Sequence, residues 1–362
     1  MPASTTLLQR LLAAAAALSL VAAVGANASI VRAITVPTIT VIDINPEGGS
    51  YALDDDDKDG VAVNGMLLFR ADDGIHGRDL YKSDGTVDGT VLVKDINPTG
   101  DSSPVNMVAM GTTAYFRADD GTNGFELWKS DGTEAGTVMV KDINTSGASN
   151  PRYLVVVGNT LYFRADDGTN GKELWKSDGT EAGTVMVKDI NTTGDSNPYS
   201  VTALGSTLYF KADDGTNDNE LWKSDGTEAG TVMVKDINPT GSANVGALTR
   251  HGGLLYFQGY DGVNGDEMYL SDGTEEGTMR IPGPNGSNYV DCDCYENPVR
   301  ATSNGVFFTY DDDTVGNELG FIADRLPETN TSGNALALAL LALSGALAAG
   351  AVIARRKELR AN

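Results

Sequence analysis

Leu161-Tyr162-Phe163-Arg164-Ala165-Asp166-Asp167-Gly168 decides the fold, because the chain writes it several times over. Residues 114–121 and 208–215 are near copies, and Phe69, Phe116, Phe163, Phe210 and Phe257 stand 47 residues apart. A fixed period of that size means one supersecondary unit repeated along the chain, with its apolar faces buried only by stacking. In residues 200–238 the unit divides into four short runs, 201–204, 208–212, 220–223 and 231–235. The gaps hold Gly205-Ser206, Asp214-Gly215, Asp225-Gly226 and Asn238-Pro239, residue pairs that turn a chain. No window carries a helical i, i+3, i+4, i+7 stripe. Each unit is therefore expected to be a four-stranded antiparallel meander.

Successive strand residues point to opposite faces, and both Tyr209 and Phe210, like Leu221 and Trp222, are apolar or aromatic. A sheet apolar on both faces needs a neighbour on each side. Four-stranded sheets of this period, stacked in a ring, make a β-propeller. Five full units end their fourth strands near Asn97, Asn144, Asn191, Asn238 and Ile281. A sixth, residues 297–324, supplies three runs, 299–303, 306–310 and 318–323, and lacks a fourth. Thr40-Val41-Ile42-Asp43-Ile44-Asn45-Pro46 matches residues 233–239 but has no strands one to three before it. The expected architecture is all-β: a six-bladed β-propeller over residues 39–324. Its N-terminal strand completes the last blade, so that no sheet edge stays open.

Glu126-Leu127-Trp128-Lys129-Ser130-Asp131-Gly132-Thr133-Glu134-Ala135-Gly136-Thr137 reads as ELWxxDGTxxGT and returns at residues 173–184 and 220–231. Looser copies lie at 79–90 and 267–278, with Tyr81 and Tyr269 in the Trp position. On these motifs the chain resembles the ELWxxDGT-repeat family of exported proteins. The resemblance implies a propeller-like, secreted or surface protein and carries no assigned activity. The sixth unit keeps Glu318-Leu319 but loses the Trp and the Asp-Gly-Thr turn.

Both ends read as addresses. Arg10, an apolar run over 11–24 and Ala26-Asn27-Ala28 follow the order of a secretory signal peptide, residues 1–28, with a linker at 29–38. Near the other end, residues 335–354 carry no charge and as a helix cover ~30 Å, one bilayer core. The basic tail, 355–362, opens with Arg355-Arg356-Lys357 and favours a cytoplasmic end. Within the linker 325–334, Leu326-Pro327-Glu328-Thr329-Asn330 is similar to the Leu-Pro-x-Thr-Gly sorting signal read by sortases, with Asn330 in place of Gly. That resemblance implies attachment to the cell wall after Thr329. The alternative is a single-pass membrane protein. Either way the repeats face the exterior.

Composition narrows the partners. The 362 residues carry a formal net charge of −24, which disfavours nucleic acid and anionic lipid and attracts cations. Two Cys and two His exclude a disulfide scaffold and a Cys/His zinc module. Cys292 and Cys294 in an exported chain form a local disulfide, link chains or stay free.

Candidate sites are set by departures from the repeat. The acidic turns, such as Asp119-Asp120-Gly121-Thr122-Asn123-Gly124-Phe125-Glu126, offer oxygen ligands for calcium, but Asp and Asn before Gly also serve hairpin turns directly. Asp54, Asp55, Asp56 and Asp57 precede the first blade, and Asp291, Asp293 and Glu296 precede the sixth. In a closed ring these two acidic connectors flank one blade, making a Ca²⁺ site or a pair of solvated loops. Trp128, Trp175 and Trp222 share one repeat position and are expected to pack against the next blade rather than to stack sugars. The connectors into first strands vary most: Val105, Arg152, Tyr199 and Val299 follow matching prolines, and Gly246 fills the fifth place. Arg152, Tyr199, Arg250, His251 and Arg300 are the non-repeated groups expected to bind a ligand on one rim.

No unique catalytic set stands out from the copies. The leading expectation is a surface-anchored, non-enzymatic binding or adhesion scaffold for an extracellular glycan or protein. An extracellular polysaccharide hydrolase or lyase is the first alternative, requiring a carboxylate pair from Asp291, Asp293 and Glu296. A calcium-stabilised structural protein is the second.

Overall fold

The computed structural model describes residues 39–53, 59–282, 299–310 and 318–323. The two address segments, the sorting-like motif and the Cys pair lie outside the described residues. Every regular element within them is a strand, and no described helix is long and apolar enough to cross a membrane.

The strands fall into six sheets of consecutive antiparallel neighbours. Sheet 1 is β1 (Gly60–Val63), β2 (Met66–Asp72), β3 (Arg78–Ser83) and β4 (Val91–Lys94). Sheet 2 is β5 (Val105–Met110), β6 (Thr113–Asp119), β7 (Phe125–Ser130) and β8 (Val138–Lys141). Sheet 3 is β9 (Arg152–Val157), β10 (Thr160–Asp166), β11 (Lys172–Ser177) and β12 (Val185–Lys188). Sheet 4 is β13 (Tyr199–Leu204), β14 (Thr207–Asp213), β15 (Asn219–Ser224) and β16 (Val232–Lys235). Sheet 5 is β17 (Gly246–His251), β18 (Leu254–Tyr260), β19 (Asp266–Ser271) and β20 (Met279–Arg280). Sheet 6 has three described strands, β21 (Arg300–Thr302), β22 (Gly305–Tyr310) and β23 (Glu318–Ala323).

The core lies between sheets rather than within them, as two apolar faces per sheet require. Leu127, Val140 and Ile143 of sheet 2 meet Phe163, Ala165 and Trp175 of sheet 3 in one cluster. The next interface repeats it with Leu174, Val187 and Ile190 against Phe210, Ala212 and Trp222. Trp128, Trp175 and Trp222 are buried in these clusters, so packing is their role. First strands β1, β5, β9, β13, β17 and β21 touch in succession, which puts them on one side of the stack.

Polar contacts tie each sheet to the next. Lys129 Nζ donates to Gly179 O at 2.8 Å and Lys176 Nζ to Gly226 O at 2.8 Å. Glu173 on β11 is fully buried and accepts from Ile190 N, Ser196 N and Ser196 Oγ. Glu126 makes the same bonds to Ile143 and Ser149. A buried carboxylate is tolerated because its lone pairs are filled. Each such Glu fixes the path from a third strand to the start of the next sheet.

The acidic turns close on themselves. Asp120 accepts from Thr122 N, Asn123 N and Asn123 Nδ2, and Asp167 repeats the pattern with Thr169 and Asn170. Among the described residues no group of three or more His, Cys, Asp or Glu is arranged to hold a metal ion.

At the N-terminal end the fold departs from expectation. Residues 39–50 contain no strand, and Ile39 and Val41 are 92% and 83% exposed. The pairing expected between residues 41–44 and β23 is not formed in the described residues. Ile44 and Ala52 pack instead on Phe69, Ala71 and Tyr81 of sheet 1. The turn after them is native to the repeat: Gly48 N donates to Asn45 O, as Gly100 N does to Asn97 O and Gly194 N to Asn191 O.

Candidate aromatic and cationic cleft

The first strands carry the features that differ between copies. Each of β5, β9, β13 and β17 is irregular near its start, where the register shifts against the second strand. At the shift stand Asn106, Tyr153, Ser200 and Ala247, all at positive φ, with Tyr153 at 58° and Ser200 at 53°. A bulge of this kind turns a side chain out of the alternation and re-aims it. The positive φ recurs in all four strands, so the bulge belongs to the repeated frame, and what varies is the side chain it carries.

In two adjacent sheets the bulge carries aromatic groups. Tyr153 on β9 and Tyr199 on β13 meet edge to face, ring centroids 4.8 Å apart. Together with Leu154, Val155, Ser200 and Val201 they line an open cleft of about 210 Å³. Tyr199 is 38% exposed in it. Arg164 of β10 lies over the Tyr153 ring at 4.8 Å, and Lys211 of β14 over the Tyr199 ring at 5.0 Å. Arg152 sits in direct register with Arg164. Burial lowers the pKa of Arg164, and the nearby Tyr153 opposes that while Arg152 reinforces it.

Of the groups expected from sequence, the fold brings Arg152 and Tyr199 together at equivalent ends of neighbouring strands. Arg250 and His251 fall at the opposite end of their strand, beside the Gly252-Gly253 turn. Arg250 Nη1 donates to Ala203 O of sheet 4, and His251 lies 6.5 Å from the Tyr256 ring. Arg300 opposes Phe307 as Thr202 opposes Tyr209, two residues short of the hairpin on each first strand. Val299 and Arg300 are therefore further along the first strand than the positions of Arg152 and Tyr199. Asp54, Asp55, Asp56, Asp57, Asp291, Asp293 and Glu296 lie outside the described residues, as do Cys292 and Cys294. The adjoining Asp59 is buried and pairs with Arg70 at 2.8 Å.

Sequence reasoning missed Tyr153 and Arg164. Tyr153 follows Arg152 in the same variable connector, where Asn106 and Ser200 stand in the neighbouring copies. Arg164 is repeated as Arg117 and Lys211, so departure from the repeat does not mark it.

The most strongly raised acids lie elsewhere. Burial lifts Glu173 and Glu220 to about 7 and Asp79 to about 6. All three stand at one repeat position, and each is clamped by hydrogen bonds to its own connector. Perturbed groups mark function when they converge in a cleft. These recur sheet after sheet and serve the frame. A second cavity of about 440 Å³, between sheets 3 and 4, is likewise lined by repeat residues such as Lys176, Asp178 and Asp225.

No family model matches the sequence, and no curated protein does. Among solved structures, a puromycin hydrolase variant in complex with PGG is similar to the chain at 14% identity and a TM-score of 0.44. That similarity covers 73% of this chain and 43% of the hydrolase. One of two prolyl endopeptidases analysed for inter-domain dynamics is similar at 12% identity and a TM-score of 0.43, over 73% of this chain and 39% of its own. The chain thus spans less than half the length of these proteins.

Proposed function

We propose that the chain is an exported, surface-displayed binding scaffold, with no catalytic role of its own. Its ligand sits in the cleft between sheets 3 and 4. The observation that carries this reading is the Tyr153–Tyr199 pair, 4.8 Å between centroids, on sheets that otherwise copy one another. Aromatic side chains present a large apolar area with a polar tip at low entropic cost, which suits recognition of an extracellular glycan or protein. Export and anchoring rest on the signal-like N-terminus, the apolar segment 335–354 and the sorting-like motif.

The frame we propose is a closed six-bladed propeller. Leu80, Leu127, Leu174, Leu221 and Met268 occupy one third-strand position and are fully buried by the next sheet. Leu319 holds that position in sheet 6 and is 73% exposed, with Phe321 beside it at 44%. Phe69, Ala71 and Tyr81 present on sheet 1 the face that Phe116, Ala118 and Trp128 turn toward their predecessor. Ile44 packs on that face as Ile96 packs on sheet 2. The two faces are complementary, and in the proposed ring residues 40–44 would take the place of the missing fourth strand between them. A disulfide trap between I42C and L319C, which would oppose each other as Lys235 and Leu221 do in sheet 4, tests closure; no cross-link under oxidising conditions removes the ring.

A glycan array probed with the intact protein tests function, with Y153A and Y199A as controls. Binding that both variants lose supports the reading. Binding that both variants retain, or no binding on glycan and extracellular-protein arrays, rejects it.

A further inference from the structure

Arg152 and Arg164 are directly opposed across β9 and β10, and neither has an ion pair with a described acid. Like charges in register destabilise a strand pair. The surrounding acids relieve them only in part. Asp195 is the acid whose field reaches Arg164, and it is spent on Lys172, whose N and Nζ donate to its two carboxylate oxygens at 3.0 and 2.6 Å. Lys211 adds a third cation on β14 of the next sheet, over Tyr199. This concentration of positive charge stands in a chain of net charge −24, where chance favours the opposite sign. The equivalent places hold Val105 opposite Arg117 and Gly246 opposite Gln258, so the doubled Arg is particular to sheet 3.

Resting on the cleft reading above, we propose that the ligand of the Tyr153–Tyr199 cleft is an anionic saccharide, its acid group received between Arg152 and Arg164. Guanidinium groups bind carboxylate and sulfate through paired charge-assisted hydrogen bonds, and a bound anion replaces the repulsion by attraction to both. The two Tyr rings and the apolar cleft floor of Leu154 and Val155 take the less polar part of a sugar. The cleft of about 210 Å³ is of a size for one residue of a chain that continues past its open mouth. The anion is a uronate carboxylate or a sulfate ester, and the two share this chemistry.

Titration calorimetry of the intact protein with tetragalacturonate, a sulfated galactan tetrasaccharide and neutral galactotetraose decides the matter. One or both anionic probes are expected to bind at least about tenfold more tightly than the neutral one. R152A and R164Q are each expected to lose about tenfold in that affinity, while R152K keeps part of it. Because R152A removes a like-charge opposition, its melting temperature is expected to hold or rise. Equal affinity for all three probes, or anion binding untouched in R152A, overturns the anionic assignment. So does a melting temperature that falls in R152A, since it gives the side chain a structural role. Neutral binding lost in Y199A but kept in R152A overturns the anionic ligand and leaves the binding cleft standing. Preference between the carboxylated and sulfated probes names the acid group.

Discussion

Ser196 donates its hydroxyl to Glu173 at 2.5 Å across 23 residues of chain, and both side chains are excluded from solvent. The same carboxylate also accepts from the backbone N–H groups of Ile190 and Ser196. One side chain therefore satisfies three donors where the chain leaves sheet 3 for sheet 4. E173A strands those donors in the interior and is expected to destabilise the protein by about 3 kcal/mol, read from urea unfolding. S196A removes one donor and leaves the amides bonded, so its cost is expected to be about 1 kcal/mol. Equal costs for the two variants would contradict the clamp.

The pH response follows from the direction of the shifts. Glu173 and Glu220 are raised to about 7 and Asp79 to about 6, chiefly by burial, and Glu126 is raised for the same reason. The folded state thus binds protons that the unfolded chain has released. The stability these groups give is full below the ordinary carboxylate range and is lost as pH rises toward 7. Asp120, Asp167 and Asp214 run the other way: burial raises them, and the amide bonds of their turns together lower them further. Their contribution is lost as pH falls through the acid range. The melting temperature is expected to peak near about pH 5 and to decline toward pH 7.5, a slope that E173Q flattens. A melting temperature that instead rises steadily from pH 5 to 7.5 would contradict the assignment.

Leu174 and Leu319 hold one repeat position in sheets 3 and 6, yet the first is fully buried and the second is exposed. L174A is expected to cost 2–5 kcal/mol, by lost transfer energy and the cavity left. If the ring closes as proposed, L319A is expected to cost more than about 2 kcal/mol for the same reason. A cost within about 0.5 kcal/mol means that Leu319 faces water in the native protein.

The acidic turns give a test of calcium dependence. Both oxygens of Asp167 are engaged, Oδ1 by two amides at 2.9 and 2.8 Å and Oδ2 by Asn170 Nδ2 at 2.7 Å. D167A is expected to cost about 1 kcal/mol through loss of the turn bonds, with or without calcium. Melting temperatures in calcium and in chelator are expected to agree. A calcium-dependent rise that D167A abolishes would reverse this assignment.

The strands were legible because each one is short, alternates and ends on Gly, Asp, Asn or Pro. The expected runs 208–212 and 220–223 fall within β14 and β15. Burial of the three Trp was legible for the same reason, since a repeated aromatic on a two-faced sheet has a neighbour to pack on. The cleft was half legible. Departure from the repeat marked Arg152 and Tyr199 but did not single out Tyr153, whose orientation depends on a backbone bulge at φ 58°. It also grouped Arg250, His251 and Arg300 with them, although strand register sends these elsewhere.

The amino-acid sequence alone set the period, the strand count of each full unit and the turn residues, because hydrogen-bonded meanders and tight turns are local. Tertiary structure decided which variable residues become neighbours. Tyr153 and Tyr199 are 46 positions apart in the chain, and only the stacking of sheet 3 on sheet 4 brings their rings to 4.8 Å. It likewise decided that Arg152 faces Arg164, since a shifted register on the first strand sets that pairing and no periodicity of residue types records the shift.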